Sequence, residues 1–205
     1  GGAHCGLAVA FFKAVHPESE IVALEPRPDL ADMLRVNVRR NGWKGVEVVE
    51  AAISSETGTG LLAFDPKRSM SGTLTTRHEQ SGRAIVKRQV KTVSLQSLLG
   101  QRVDLLKLDI EGSEHVVLPN SGEALVSVQR IFAEVHGQPK GGLRGLGKIV
   151  SVLEECGMDV LVARSMGTHR RTAVRPFSFL AEAPAVLVYG ARQEAAAADR
   201  SACDF

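Results

Sequence analysis

Apolar residues along the chain fall into two spacings, and the places where one gives way to the other mark the elements. The run "GLAVAFFKAV" is apolar except for Lys13, and the His16-Pro17 pair after it disfavours further helix, which predicts a short helix over 6–15. "EIVALEP" then reads as a buried strand over 20–25. In "PDLADMLRVNVRRNG", Leu30, Met33, Leu34 and Val38 recur at helical spacing and Asn41-Gly42 closes the helix. "VEVVEAAIS" predicts a strand over 46–53. A stretch rich in Gly, Ser and Thr follows, with short β-like pieces near 60–64 and 84–92, and is expected to be a hairpin-like excursion near 56–92. The rhythm returns with a strand over 103–109, a helix beginning near Ser113, a strand over 130–136 and a helix closed by Gly157. "MDVLVA" and "PAVLVYG" supply two more strands. Strands alternating with helices over short connections predict an α/β fold, a mostly parallel sheet covered by helices on both faces. One domain is expected over 1–190, with a frayed tail over 191–205.

Composition narrows the function classes. The 205 residues are 44% hydrophobic and carry a formal net charge of +2, with acids and bases interspersed and only 4% aromatic residues. No basic stripe interleaved with aromatics is present to track phosphates and stack bases, so no nucleic-acid partner is expected. Cys5, Cys156 and Cys203 are scattered without paired spacing, which suggests reduced thiols and a cytoplasmic default rather than a disulfide framework or a zinc site. No apolar run approaches the about 20 residues that cross a bilayer, so no membrane span is expected.

The candidate chemistry begins at the first residues. "GGAHCG" does not place Gly1, Gly2 and Gly6 at the spacing of a dinucleotide fingerprint. It does form a wider G-x-x-x-G turn, Gly2 to Gly6, whose small residues suit close backbone approach to a ligand without phosphate, such as S-adenosylmethionine. Glu25 ends the next strand, where a carboxylate can accept hydrogen bonds from both ribose hydroxyls of an adenosine. That feature is shared by nicotinamide and S-adenosylmethionine enzymes. An NAD(P)-dependent oxidoreductase therefore stays open beside a methyltransferase, as does a degenerate cofactor-binding module, although no Tyr-x-x-x-Lys pair favours the oxidoreductase.

The blocks "EIVALEPRPDLADMLRVNVRRNG", "VEVVEAAISSETG", "VKTVSLQSLL", "VDLLKLDIEGSEHVVL" and "RIFAEVHG" resemble, in order, those of the FkbM-type S-adenosylmethionine-dependent methyltransferases. The resemblance covers roughly residues 1–137, and "KLDIEGSE", Lys107 to Glu114, is its most specific block. It implies a Rossmann-like methyltransferase sheet and O-methylation of a hydroxyl on a sugar, glycan, lipid or natural product. Carried over by position, Gly2, Ala3 and Gly6 would line the methionine end of the cofactor, Glu25 the ribose and Ala52 with its neighbours the adenine. Asp109 would lie near the cofactor's amino-acid end and the acceptor. The chain departs from the family at His4, where Asn is common, and at Gln96, where Asp is frequent. The family's first strand and the acid before its glycine turn are also missing, which implies a fragment whose sheet lacks that strand.

Methyl transfer to oxygen is an in-line displacement that needs an aligned nucleophile and a group to take its proton. Residues i and i+2 of a strand share a face, so Asp109 pairs with Glu111, and Glu134 with His136, at the ends of two strands. Asp109, Glu111 and His136 are the candidate catalytic residues, with His136 the best unassisted base because its reference pKa, about 6.5, is nearest neutrality. Two carboxylates and a histidine could also hold a divalent metal ion, which is possible but not favoured. The expected partner is a small-molecule or glycan acceptor, and the oligomeric state is open. His115 is expected at the surface, His78 in a polar loop that could cover the acceptor, and the "HRR" at 169–171 in a solvated turn.

Overall fold

The computed structural model describes residues 1–66, 72–74, 85–100, 102–137, 144–164 and 185–193. His78, the "HRR" at 169–171 and most of the expected tail lie outside them. The chain divides into two compact units, Gly1–Ser94 and Leu95–Phe205. Among the described residues, no helix is long and apolar enough to cross a membrane.

The first unit opens with α1 (Leu7–Val15), β1 (Ile21–Leu24), α2 (Pro28–Asn41) and β2 (Val46–Val49). β1 and β2 pair in parallel from Ile21–Val46 to Leu24–Val49, so α2 is the crossover of a βαβ unit. Helix α2 has Pro28 at its start, where a missing N–H costs nothing, and ends at Gly42 in the left-handed region. Its Leu34, fully buried, joins Ala3, Val9 and Ala23 in one core cluster. Lys13 is buried too, and its ammonium donates to the carbonyls of Pro17 and Ser19, closing the loop between α1 and β1.

The unit continues with β3 (Ala52–Ser54), β4 (Gly58–Phe64), β5 (Gly72–Leu74) and β6 (Val86–Ser94), in the order β3-β6-β4-β5. β3 runs parallel to β6, while β4 is antiparallel to both β6 and β5. The hairpin-like excursion is therefore a mixed sheet. The strand expected over 46–53 is two strands in different sheets. The Ala51 N–H turns back to the Val49 carbonyl at 3.1 Å instead of reaching across a ladder, and Glu50, one of two acids in "VEVVEAAIS", does not by itself mark such a break.

The second unit holds α3 (Leu95–Leu98), β7 (Leu106–Leu108), α4 (Glu114–Val117), a 3-10 turn (Leu118–Asn120), α5 (Gly122–Leu125), β8 (Arg130–His136), α6 (Leu146–Glu155), β9 (Asp159–Arg164) and β10 (Ala185–Ala191). Its sheet runs β7-β8-β10-β9. β7 and β8 are parallel, and β10 lies antiparallel between β8 and β9. The sheets are thus mixed, less parallel than the alternation of elements suggests. β8 buries Ile131, Ala133 and Val135 on one face, and α6 sets Ile149 and Leu153 at i,i+4 into the core. The strand expected over 103–109 is shorter: Val103 makes only an isolated parallel bridge to Val128 before β7 begins. β10 runs to Ala191, and Arg192 beyond it donates to the carbonyls of Val128, Leu125 and Val126, so this end of the expected tail is anchored.

Candidate functional site

In the first unit the turn before α1 is built on left-handed residues, with φ of 69° at Gly2, 50° at His4 and 102° at Gly6. Gly6 could not be another residue cheaply, because a Cβ there would sit 2.5 Å from Leu34 Cδ1. Histidine is one of the few non-glycine types that enters this region with some frequency, so His4 fills a position where Asn is also tolerated. The Ala3 N–H donates to the Leu24 carbonyl at 3.0 Å, and the Asn37 side chain donates to the Cys5 carbonyl at 2.8 Å. The turn is thereby fixed to the end of β1 and to α2.

Glu25 follows β1 and faces that turn. Its carboxylate accepts the His4 N–H at 2.8 Å on one oxygen and the Arg27 N–H at 3.0 Å on the other. Only 6% of the residue is exposed, and burial raises its pKa against the pull of those two backbone N–H groups. A carboxylate has about four lone-pair sites, so two remain for a diol after both backbone bonds are made. Arg27, also buried, forks onto both oxygens of Asp29 at 2.6 and 3.2 Å and lies 4.5 Å over the Phe64 ring. The hydrogen bond from Arg27 holds the Asp29 carboxyl below its usual range. Gly2, Ala3, Gly6 and Glu25 are therefore brought together. Ala52 is buried in a separate cluster with Leu62 and Val90, while its neighbours Glu50 and Ala51 line a cavity of about 520 Å³ that Pro26, Arg35 and Lys91 also border.

In the second unit, the parallel pairing of Leu108 with Ala133 brings the ends of β7 and β8 side by side. His136 Nε2 lies 3.6 Å from Glu111 Oε2 and 4.0 Å from Asp109 Oδ1, and the ligand-type atoms of these three residues all fall within 4.8 Å of one another. Asp109 also receives the Lys107 ammonium at 3.1 Å. Thus the out-of-phase lysine of the strand has a counter-charge beside the cluster. Glu111 does not continue the strand: its φ is 54°, and Gly112 follows at 99°. A turn, not the i,i+2 alternation, aims its carboxylate at His136.

Glu114 holds that turn. It is fully buried, and accepts the Ile110 N–H at 2.8 Å and the Gly112 N–H at 2.9 Å, one on either side of Glu111. It also lies 3.3 Å from His136 Nδ1. Sequence reasoning passed over it as part of a motif, and no periodicity distinguishes a buried acid at a helix start from an exposed one. His115 is half-buried rather than fully at the surface. Its Nε2 is within 2.6 Å of the His136 carbonyl and its Nδ1 is buried with no partner among the described residues, because the short α4 turns this side toward β8.

The electrostatics of the cluster change the role read from the sequence for His136. Burial alone would push its pKa down, but the hydrogen bond and charge of Glu114, with the charges of Glu111 and Asp109, push it up to about 9. At neutral pH it is an imidazolium, not the free base that its reference value suggests. Glu111 moves the other way from an ordinary carboxylate: burial raises its pKa, His136 lowers it, and Asp109, Glu114 and Glu134 raise it. Desolvated and set among like charges, Glu111 is the best proton acceptor of the group. A divalent cation held by Asp109, Glu111 and His136 would have to displace the His136 proton.

The sequence profile of the methyltransferase FkbM domain matches residues 1–160. The chain belongs to the FkbM methyltransferase family. Of the alternatives open from the sequence, the methyltransferase is the one that the family supports. Methyltransferase sdnD of Sordaria araneosa is 29% identical over 190 residues, covering 78% of this chain and 72% of that one. Methyltransferase 1 of Beauveria bassiana is 26% identical over 136 residues, covering 57% and 55%. The crystal structure of methyltransferase FkbM from Methylobacillus flagellatus superimposes with a TM-score of 0.58 at 14% identity, over 92% of this chain and 41% of that one. That of precorrin-6y C5,15-methyltransferase from Geobacter metallireducens gives 0.50 at 15% identity, over 94% and 77%. At these identities the likeness is one of fold, the Rossmann-like methyltransferase fold. The FkbM crystal structure is more than twice as long as the present chain.

Proposed function

We propose that the protein is an S-adenosylmethionine-dependent O-methyltransferase acting on a hydroxyl of a sugar, glycan, lipid or natural product. The observation that carries this reading is the convergence of Glu111, Asp109 and His136 at the ends of two parallel strands, in a chain of a methyltransferase family. The donor chemistry fits the first unit. Glu25 keeps two acceptor sites for the two ribose hydroxyls, and the turn from Gly2 to Gly6 exposes backbone without bulk.

S-adenosylmethionine supplies an electrophilic methyl group on a positively charged sulfur. The residues of the chain then divide the remaining work. Glu25 orients the adenosine by its ribose. The Glu111 carboxylate takes the proton of the acceptor hydroxyl as the oxygen attacks the methyl carbon, and the electron pair of the breaking carbon–sulfur bond goes to sulfur. His136, as an imidazolium, and Lys107 offset the surplus of negative charge, so that Glu111 and Asp109 can be ionised side by side. Asp109, held by Lys107, leaves the hydroxyl's single proton to Glu111 and adds negative charge beside it.

Calorimetry of the full-length protein with S-adenosylmethionine tests the donor, and mass spectrometry of a panel of hydroxyl acceptors tests the transfer. Binding without methyl transfer to any oxygen would sink the acceptor half of the proposal. Absence of binding would sink all of it.

A further inference from the structure

We propose that Glu114 is the positioning residue of this cluster: one buried carboxylate holds Glu111 in its left-handed conformation and turns His136 Nε2 toward the Glu111 carboxylate, so that Glu111 faces the acceptor proton. The proposal rests on the methyl-transfer reading for its kinetic consequences but not for its structural ones. Glu114 is 0% exposed, and the Ile110 N–H, the Gly112 N–H and His136 Nδ1 that its carboxylate meets all belong to this cluster. The Ile110 and Gly112 N–H groups that it accepts flank Glu111, a non-glycine residue at φ 54°. Such a conformation is strained and persists only where its surroundings over-determine it. Here the surroundings are the Glu114 carboxylate and one backbone bond across the turn, from the Ser113 N–H to the Ile110 carbonyl at 3.3 Å. The same oxygen that takes the Ile110 N–H faces His136 Nδ1, which fixes the ring about its other nitrogen. His115, bonding to the His136 carbonyl, secures the strand end from the same short helix.

A buried carboxylate that merely satisfied backbone donors would, when replaced by an isostere, change stability but not the pH profile, and this is the distinction to test. In Glu114→Gln the amide keeps the volume, but one of its two ends is a donor and must face either the Gly112 N–H or the Ile110 N–H and His136 Nδ1. The charged groups facing the His136 ring are Asp109, Glu111 and Glu114, with Lys107 on Asp109 and Glu134 acting on Glu111, so only Glu114 is altered. The expected result is a fall in kcat of about 100-fold, the size of an ångström-scale misplacement of a catalytic group. The KM for the methyl donor should be unchanged, and the basic limb of the pH profile should move to lower pH. Unchanged kcat and pH profile in a folded Glu114→Gln protein would overturn the proposal. If the variant does not fold, the wild-type protein still decides. Hydrogen exchange should find the Ile110 and Gly112 amides protected although they lie in a turn, and nitrogen NMR should find His136 Nδ1 protonated and hydrogen-bonded. Fast exchange at both amides, or a free Nδ1, contradicts it. A wild-type protein that methylates nothing would instead remove the methyl-transfer reading and leave these NMR outcomes in force.

Discussion

Raising the pH through the window in which His136 loses its proton should destabilise the protein by an amount that the structure sets. In the unfolded chain His136 titrates at the ordinary imidazole value of 6.5, and in the folded protein at about 9. Between those values the native state binds the proton and the unfolded state does not, so stability falls as pH rises. Below 6.5 the contribution is fully present. Above about 9 it is gone. The rise from 6.5 to about 9, at about 1.4 kcal/mol per pH unit, corresponds to roughly 3–4 kcal/mol for a side chain 24% exposed. Glu25 and Glu111, raised by burial, act in the same direction but start from 4.5, lower on the scale. Urea denaturation from pH 6.5 to 9.5, followed alongside the His136 ring protons by NMR, measures both quantities. A His136 that titrates near 6.5 and a flat stability profile would refute the reasoning, because then Glu114, Glu111 and Asp109 exert no net field on the ring.

Other outcomes follow from the same contacts. Glu111→Gln keeps the volume of the proposed proton acceptor, and should lower kcat by about 10²–10⁴-fold while leaving S-adenosylmethionine affinity unchanged by calorimetry. Glu25→Gln removes the charge that the ribose hydroxyls would meet. It should weaken donor binding by about 10- to 100-fold, the value of a hydrogen bond to a charged group, without altering the pH profile of kcat. Gly6→Ala places a Cβ 2.5 Å from Leu34 Cδ1 at a φ of 102°, and should lower the melting temperature by an amount matching about 1–3 kcal/mol. Leu153→Ala, at a fully buried position of α6, should cost about 2–5 kcal/mol in urea denaturation.

The sequence carried the element types well where one periodicity ran uninterrupted. Helix α2 and strand β8 lie where their apolar spacing puts them, and Gly42 and Gly157 end their helices in the left-handed region. It failed where the backbone turned within one predicted strand, at Glu50-Ala51, because side-chain patterning does not record which carbonyl an N–H chooses. The direction of β10 was equally silent, since an apolar strand reads alike in either orientation. In the site, Asp109 and His136 were legible from their strand ends. Glu111 reached the cluster by a different route, through a turn rather than a pleat. The hub, Glu114, was not legible: a glutamate at a helix start is ordinarily solvated, and only burial with three donors around it discloses what it does. The charge state of His136 was hidden for the same reason, since it depends on acids 22 to 27 residues away in sequence.

The most direct test follows the methyl group itself. The full-length protein, incubated with S-adenosylmethionine carrying an isotopically heavy methyl and a panel of hydroxylated acceptors, should place the label on an acceptor oxygen, and Glu111→Gln should place almost none. Label on nitrogen or carbon, or equal transfer by wild type and Glu111→Gln, would contradict proton abstraction from a hydroxyl by Glu111.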